Sequence, residues 1–227
     1  MQKDKNKFED DYFEGFYKSE VGEFSEKRDR ELSNWFRGSL NYVNKFVPIK
    51  NSKKRSIIEF GCAYGAAAVV LKEYGLKVTA TDISKFAIQR AKKMHPSITF
   101  KMHDIQKYLK NKAKFDYAMA FDVLEHLDKP GTAIKNIYDV LKKGGTAIIS
   151  TQNDFPYKIQ DPTHISVKNH EEWRRLFLKA GFSNVRIKRV TFFPPLLYRF
   201  NWRLNFVLPF ASSTTWFLST VFIFAKK

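Results

Sequence analysis

A chain of 227 residues, 44% of them hydrophobic, can bury one large core, which excludes a disordered or fibrous polypeptide. Its 40 lysines and arginines against 23 aspartates and glutamates give a formal charge of +17, so its partners are sought among anions: RNA, an acidic membrane surface or a phosphorylated metabolite. Cys62 is the single cysteine, which excludes a disulfide within the chain, and the charged stretch 1–9 lacks the apolar run of a signal peptide, so a cytoplasmic protein is predicted.

The first 50 residues predict a helical cap. Tyr12, Phe13, Phe16 and Tyr17 sit among acids, where they either staple a helix to the core or close over a cofactor. Over 24–47, Leu32, Trp35, Phe36, Leu40, Val43 and Phe46 recur near the helical period, and Pro48 ends the run. The main domain is expected over 51–227. In it β-type runs at 56–60, 77–81, 98–103, 115–121 and 146–151 alternate with helical patterns at 66–74, 85–94, 105–110 and 132–142, with Gly75 and Gly144 as stops. That alternation predicts βαβ units and an α/β, doubly wound, mostly parallel sheet. A helix at 169–180, with Trp173, Leu176 and Phe177 inward and Gly181 closing it, precedes a strand at 184–191, and the β-branched and aromatic run 215–225 reads as a final antiparallel strand.

Residues 192–214 form an aromatic-rich insertion. Drawn as a helix, 196–208 places Leu196, Phe200, Leu204 and Val207 on one face and Tyr198, Trp202 and Phe206 on another, with Arg199 and Arg203 between. Either both faces are buried in the domain, or one packs on it and the other meets an anionic membrane interface, a hydrophobic substrate or a second subunit. The 22 uncharged residues 204–225 have the length of a membrane span, but Pro209, Asn205 and six serines and threonines fit a strand hairpin through 209–213 better.

The segment Ile57-Ile58-Glu59-Phe60-Gly61-Cys62-Ala63-Tyr64-Gly65, followed by Asp82, carries the chemistry. Small residues let the backbone approach a nucleotide-like ligand, and an acid about 20 residues on can grip a ribose. A dinucleotide fingerprint would want glycine at positions 61, 63 and 66, and only Gly61 matches. The pattern Glu59-x-Gly61-x-Ala63-x-Gly65 instead resembles motif I of the class I S-adenosylmethionine-dependent methyltransferases, with Ala63 in place of the second glycine. Thr81-Asp82-Ile83-Ser84, His103-Asp104-Ile105, the run from Phe115 through Phe121-Asp122-Val123-Leu124-Glu125-His126, and Leu141-Lys142-Lys143-Gly144-Gly145 resemble the family's later elements in order. Asp161-Pro162-Thr163-His164, Glu172-Trp173 and Ala180-Gly181-Phe182 are similar to the methyltransferase type 11 group, which includes quinone and surface-polysaccharide enzymes.

The resemblance implies a seven-stranded Rossmann-like sheet and S-adenosyl-L-methionine as cofactor, held by Glu59, Gly61, Cys62, Ala63, Gly65, Asp82, Ile83, Asp104, Ile105, Phe121 and Asp122. Asp82 would bind the ribose hydroxyls, Asp104 and the following amide the adenine, and Glu59 the amino end of the methionine moiety. An acceptor hydroxyl must lose a proton, and His126, His164 and Glu125 are the candidate catalytic residues. Asp122, Glu125 and His126, with His164, also have the ligand types of a divalent-metal site, resembling the Glu-x-x-Glu-His cluster of some O-methyltransferases; the reading preferred is a metal-free turn ordered by hydrogen bonds. The expected acceptor is a small molecule or glycan, lipid-linked in one version, ahead of RNA because no separate RNA-binding module is visible; the Asn/Asp-Pro-Pro-aromatic signature of DNA amino-methyltransferases is absent after the fourth strand, and a catalytically silent methyltransferase-like binding protein is the third alternative.

Overall fold

The computed structural model describes residues 26–109, 114–154, 162–194, 196–204, 206–210 and 218–227; residues 12–17 and Asp161 lie outside them. One sheet organises the chain. Its strands are β1 (Ser56–Phe60), β2 (Lys77–Asp82), β3 (Thr99–Met102), β4 (Phe115–Phe121), β5 (Leu141–Thr151), β6 (Ser183–Phe193), β7 (Phe206–Leu208) and β8 (Leu218–Lys226), in the order β3-β2-β1-β4-β5-β8-β6-β7. The first five pair in parallel, while β8 runs antiparallel between β5 and β6.

Helices α1 (Glu26–Val43), α2 (Ala66–Glu73), α3 (Lys85–Met94), α4 (Pro130–Val140) and α5 (His170–Ala180) cover the sheet. The strands alternate strictly, as period-two side chains must when both faces are buried. Ile57, Tyr117, Met119, Ile148, Phe222 and Phe224 point into one core with Leu40 and Val43 of α1 and Leu71 of α2. Ile58, Ala118, Ala120, Ile149, Val221 and Ile223 point into the other, with Ile134 and Ile137 of α4 and the fully buried Trp173 and Phe177 of α5. Local signals start and stop these helices. Ser84 caps α3 by accepting from the Ala87 amide at 3.1 Å, and Asn169 and Glu172 form a reciprocal capping box on α5.

Three expectations are corrected. Residues 105–109 form turns, not a helix; the amide of Asn136 on α4 donates to the Ile105 and Lys107 carbonyls at 2.8 and 3.1 Å and thereby satisfies the loop backbone from outside. Residues 196–208 are two 3₁₀ turns, Leu197–Arg199 and Trp202–Leu204, followed by the short strand β7, which brings the sheet to eight strands. The two helical faces drawn from sequence therefore do not exist. Tyr198 is buried while Phe206, placed beside it in that drawing, is exposed. Finally, β7 does not form a hairpin with β8; it adds to the far side of β6, where Phe193 faces Phe206.

Candidate functional site

Parallel register aligns the strand ends. Phe60 lies opposite Thr81 and Ala120, Asp82 opposite Met102, and Phe121 opposite Ser150, so the residues that follow share one carboxyl edge. Ligands of open α/β sheets bind at that edge.

The turn leaving β1 is tight. Gly61, Ala63 and Gly65 all have positive φ, at 73, 45 and 93°. A Cβ on Gly61 would collide with Val123 Cγ2 beyond β4, and one on Gly65 would meet the Phe100 ring at 2.8 Å, so both glycines are required by space as well as by conformation. The Asp82 carboxylate fastens this turn: Oδ2 accepts from the Ala63 amide at 2.9 Å and Oδ1 from the Ser84 amide at 2.9 Å. Beside it Glu59 is buried, and its Oε2 has no hydrogen-bond partner among the described residues. Burial, then the charge of Asp82, pushes the Glu59 carboxyl up to about 8. Burial, with Glu59 and Asp82 nearby, also pushes the Cys62 thiol well above its ordinary value, which makes it inert as a nucleophile at neutral pH.

At the end of β3, Asp104 turns the chain by accepting from the Gln106 amide at 2.9 Å, and Ile105 is buried beneath it. Ile83, Met102 and Tyr108 are exposed apolar side chains along this stretch. At the end of β4, Asp122 takes φ of 52°; its amide donates to the Ser150 hydroxyl and carbonyl, and Ser150 Oγ donates back to Asp122 Oδ1 at 2.9 Å. Phe36 of α1 stacks on Phe121 with centroids 6.3 Å apart, so the N-terminal helix reaches this edge.

The 3₁₀ turn Leu124–His126 follows. Glu125 is buried, accepts from the Gln152 amide at 3.1 Å, and is pushed up to about 8 by burial and then by Asp122. Its carbonyl accepts from the Ser166 amide at 2.8 Å, tying this turn to the loop before α5. That tie brings His164 to His126: their rings meet edge to face, centroids 4.6 Å apart. His126 Nδ1 lies 3.0 Å from the Thr163 hydroxyl. Among the described residues no three His, Cys, Asp or Glu side chains converge to hold a metal ion. The structure thus gathers all the sequence-selected residues on one edge, in two groups: Glu59 to Asp104 around the β1 turn, and Asp122 to His164 beyond β4.

Sequence reasoning missed Val123, Ser150, Thr163 and Phe36. Only Thr163, adjacent to His164, carried a local signal; the others act through register and packing. A groove lined by Ser56, Lys77, Thr99 and Phe115 lies at the amino end of the strands, remote from this edge.

The sheet order, the glycine turn after β1 and the acids that end β2 and β3 define a class I S-adenosylmethionine-dependent methyltransferase fold. The chain belongs to the methyltransferase-domain family, which it matches over residues 24–187. Over 118 residues it is 29% identical to a ubiquinone biosynthesis O-methyltransferase of Coxiella burnetii, covering 50% of this chain and 49% of that protein; the matched stretch is thus about half the length of that relative. A methyltransferase structure from Archaeoglobus fulgidus superposes with a TM-score of 0.66 at 21% identity, covering 96% of this chain and all of that one. Phosphoethanolamine N-methyltransferase 2 of Haemonchus contortus, solved with S-adenosyl-L-methionine, gives a TM-score of 0.64 at 16% identity over 95% of this chain and 60% of that one. These likenesses show the fold.

Proposed function

We propose that this protein transfers a methyl group from S-adenosylmethionine to a hydroxyl of a small molecule or glycan. Three acids, Asp82, Asp104 and Asp122, stand at or just past the strand ends along one edge of a chain whose net charge is +17, which suits a cofactor that carries cationic sulfonium and ammonium groups. The orphaned, buried Glu59 Oε2 fits an ammonium donor, and the glycine turn leaves room for a ligand against backbone. Asp82, its carboxylate already oriented by two amides, takes the ribose hydroxyls; Asp104 and the Ile105 amide take the adenine, with Ile83 on its flank. Gly61, Cys62, Ala63 and Gly65 supply backbone contact, and Phe121 and Asp122 close the site toward the acceptor.

When bound, S-adenosylmethionine supplies a methyl group already activated by its sulfonium centre, so the chain's own residues need to orient donor and acceptor and remove a proton. The observation that carries the hydroxyl assignment is the His126–His164 pair at the end of β4. His126, held through Nδ1 by Thr163, takes the hydroxyl proton at Nε2, while His164 packs its ring and Glu125 holds the turn from below. The similarity to a ubiquinone biosynthesis O-methyltransferase supports an oxygen acceptor. The test is radiolabelled methyl transfer to phenolic quinone precursors, sugars, amines and RNA. Transfer to hydroxyl compounds, lost in His126→Asn, is expected; transfer to amines alone, indifferent to His126, overturns the reading.

A further inference from the structure

The insertion between β6 and β8 leaves an unusual surface. Of the twelve large apolar side chains exposed among the described residues, six lie in this one stretch: Phe193, Leu196, Phe200, Leu204, Phe206 and Phe210. Phe200 is 81% exposed and Phe206 64%, whereas monomeric proteins seldom display such side chains in a contiguous group. The stretch is anchored from beneath. Tyr198 is buried edge-on against Trp35 of α1 at 5.2 Å, and Phe192 packs on the same indole at 4.6 Å. Phe193 and Phe206 pair across β6 and the edge strand β7, which puts both rings on one side of the sheet.

Charge selects the partner. From Trp173 to Lys227 the chain has no aspartate or glutamate and ten lysines and arginines, so most of the +17 arises in its last quarter. Within the stretch, Arg203 stacks at 5.5 Å on Trp202, and the Lys50 ammonium stands 5.4 Å from the same ring. Arg199 lies 3.8 Å from Glu31 of α1. Aromatic and leucine side chains beside arginines suit the boundary between headgroups and acyl chains, where the apolar groups insert and the cations meet anionic headgroups. Exposed leucines add nothing to stacking on nucleic-acid bases, which makes a single-stranded RNA the poorer match.

We propose that the described residues 193–194, 196–204 and 206–210 dock on the surface of an anionic lipid bilayer. No helix among the described residues is long and apolar enough to cross a membrane, so the contact is peripheral. Direction adds a consequence. Both β5 and β6 run antiparallel to β8, and Thr191–Phe193 extends past the level of Thr151, so the docking segment flanks the edge that carries His126 and His164. A docked molecule turns its site toward the lipid surface, within reach of a lipid-carried acceptor.

The test is flotation of the full chain with phosphatidylcholine vesicles and with mixed phosphatidylcholine–phosphatidylglycerol vesicles, which requires no methyl transfer and so succeeds or fails apart from the proposed reaction. Binding to mixed vesicles at least about tenfold above neutral ones is expected, falling as salt is raised. The Phe200→Ser, Phe206→Ser double variant should lower it about tenfold and Arg203→Gln about fivefold, with calorimetric affinity for S-adenosylmethionine unchanged. Equal binding to both vesicles, or variants that bind as wild type, overturns the proposal. So does salt-sensitive retention on RNA without flotation, or a dimer abolished by Phe200→Ser in a chain that ignores vesicles. If the double variant fails to fold, the wild-type vesicle preference and Arg203→Gln still decide.

Discussion

The Ala63 amide donates to Asp82 Oδ2 at 2.9 Å, so the carboxylate assigned to the ribose also fastens the glycine turn after β1 to the end of β2. With the proposed ribose role, one side chain would couple cofactor affinity to local stability. Asp82→Ala is expected to abolish measurable S-adenosylmethionine binding and to destabilise the apoprotein by about 2–4 kcal/mol, because two amides lose a charged acceptor. Asp82→Asn keeps one oxygen acceptor and should cost less stability while still losing affinity. Calorimetry with denaturant unfolding separates the two effects; unchanged affinity in either variant removes the ribose assignment.

Ala63 has φ of 45°, a conformation that disfavours any residue with a Cβ. Ala63→Gly relieves that cost while making the unfolded chain more flexible, and the balance should favour the folded state by about 0.5–1 kcal/mol. In a chain of this size that is a rise in Tm of about 2 °C, readable by scanning calorimetry. A lower Tm would mean that the alanine methyl packs usefully against its neighbours.

Glu59 and Glu125 are each raised to about 8, both first by burial, against an ordinary value of 4.5. Between those limits the native state holds protons that the unfolded chain has released, so the stability of the cofactor-free protein must fall as pH rises across this window. Melting at about pH 6 should exceed that at about pH 8.5, and the Glu59→Gln, Glu125→Gln double variant should flatten the difference. A Tm that rises with pH over this range would contradict the burial of neutral carboxyls. Binding of a cationic cofactor beside Glu59 should also release protons near neutral pH, measurable as a dependence of the calorimetric enthalpy on buffer ionisation.

The Thr163 hydroxyl lies 3.0 Å from His126 Nδ1. His126→Asn is expected to lower kcat about 100-fold or more without changing cofactor affinity, as loss of a general base does. Thr163→Val should lower kcat about tenfold, with Thr163→Ser restoring most of it, because the ring loses its orienting contact but keeps its chemistry. Equal kcat in wild type and His126→Asn would assign the proton transfer elsewhere.

Much of the fold was legible because its signals are local. Alternation of apolar runs identified β1 to β5, and the glycine turn with Asp82 marked residues that the fold brings together at the carboxyl edge of the sheet. The misread parts have non-local causes. Residues 105–109 look helical but are held as turns by Asn136, 31 positions from Ile105. In 196–208 the helical spacing of apolar residues was genuine, yet Tyr198 found Trp35 of α1 and the following residues found an edge of β6, and those contacts outweighed the helix. Ser150 escaped notice because its role depends on facing Phe121 across a strand pair.

The sequence alone determined the order of β1 to β6 and β8 with the helices α1 to α5, the residues able to tolerate the β1 turn, and the acids available to a cationic nucleotide ligand, since all of these follow from side-chain type and spacing of a few residues. Only the tertiary structure decided that Asp82 braces Ala63, that His164 meets His126, that Glu59 and Glu125 are buried so that their carboxyls are pushed up, and which aromatic side chains of the 193–210 stretch face solvent. Each of those depends on register and burial between segments far apart in the chain, and neither quantity is written in any single stretch of it.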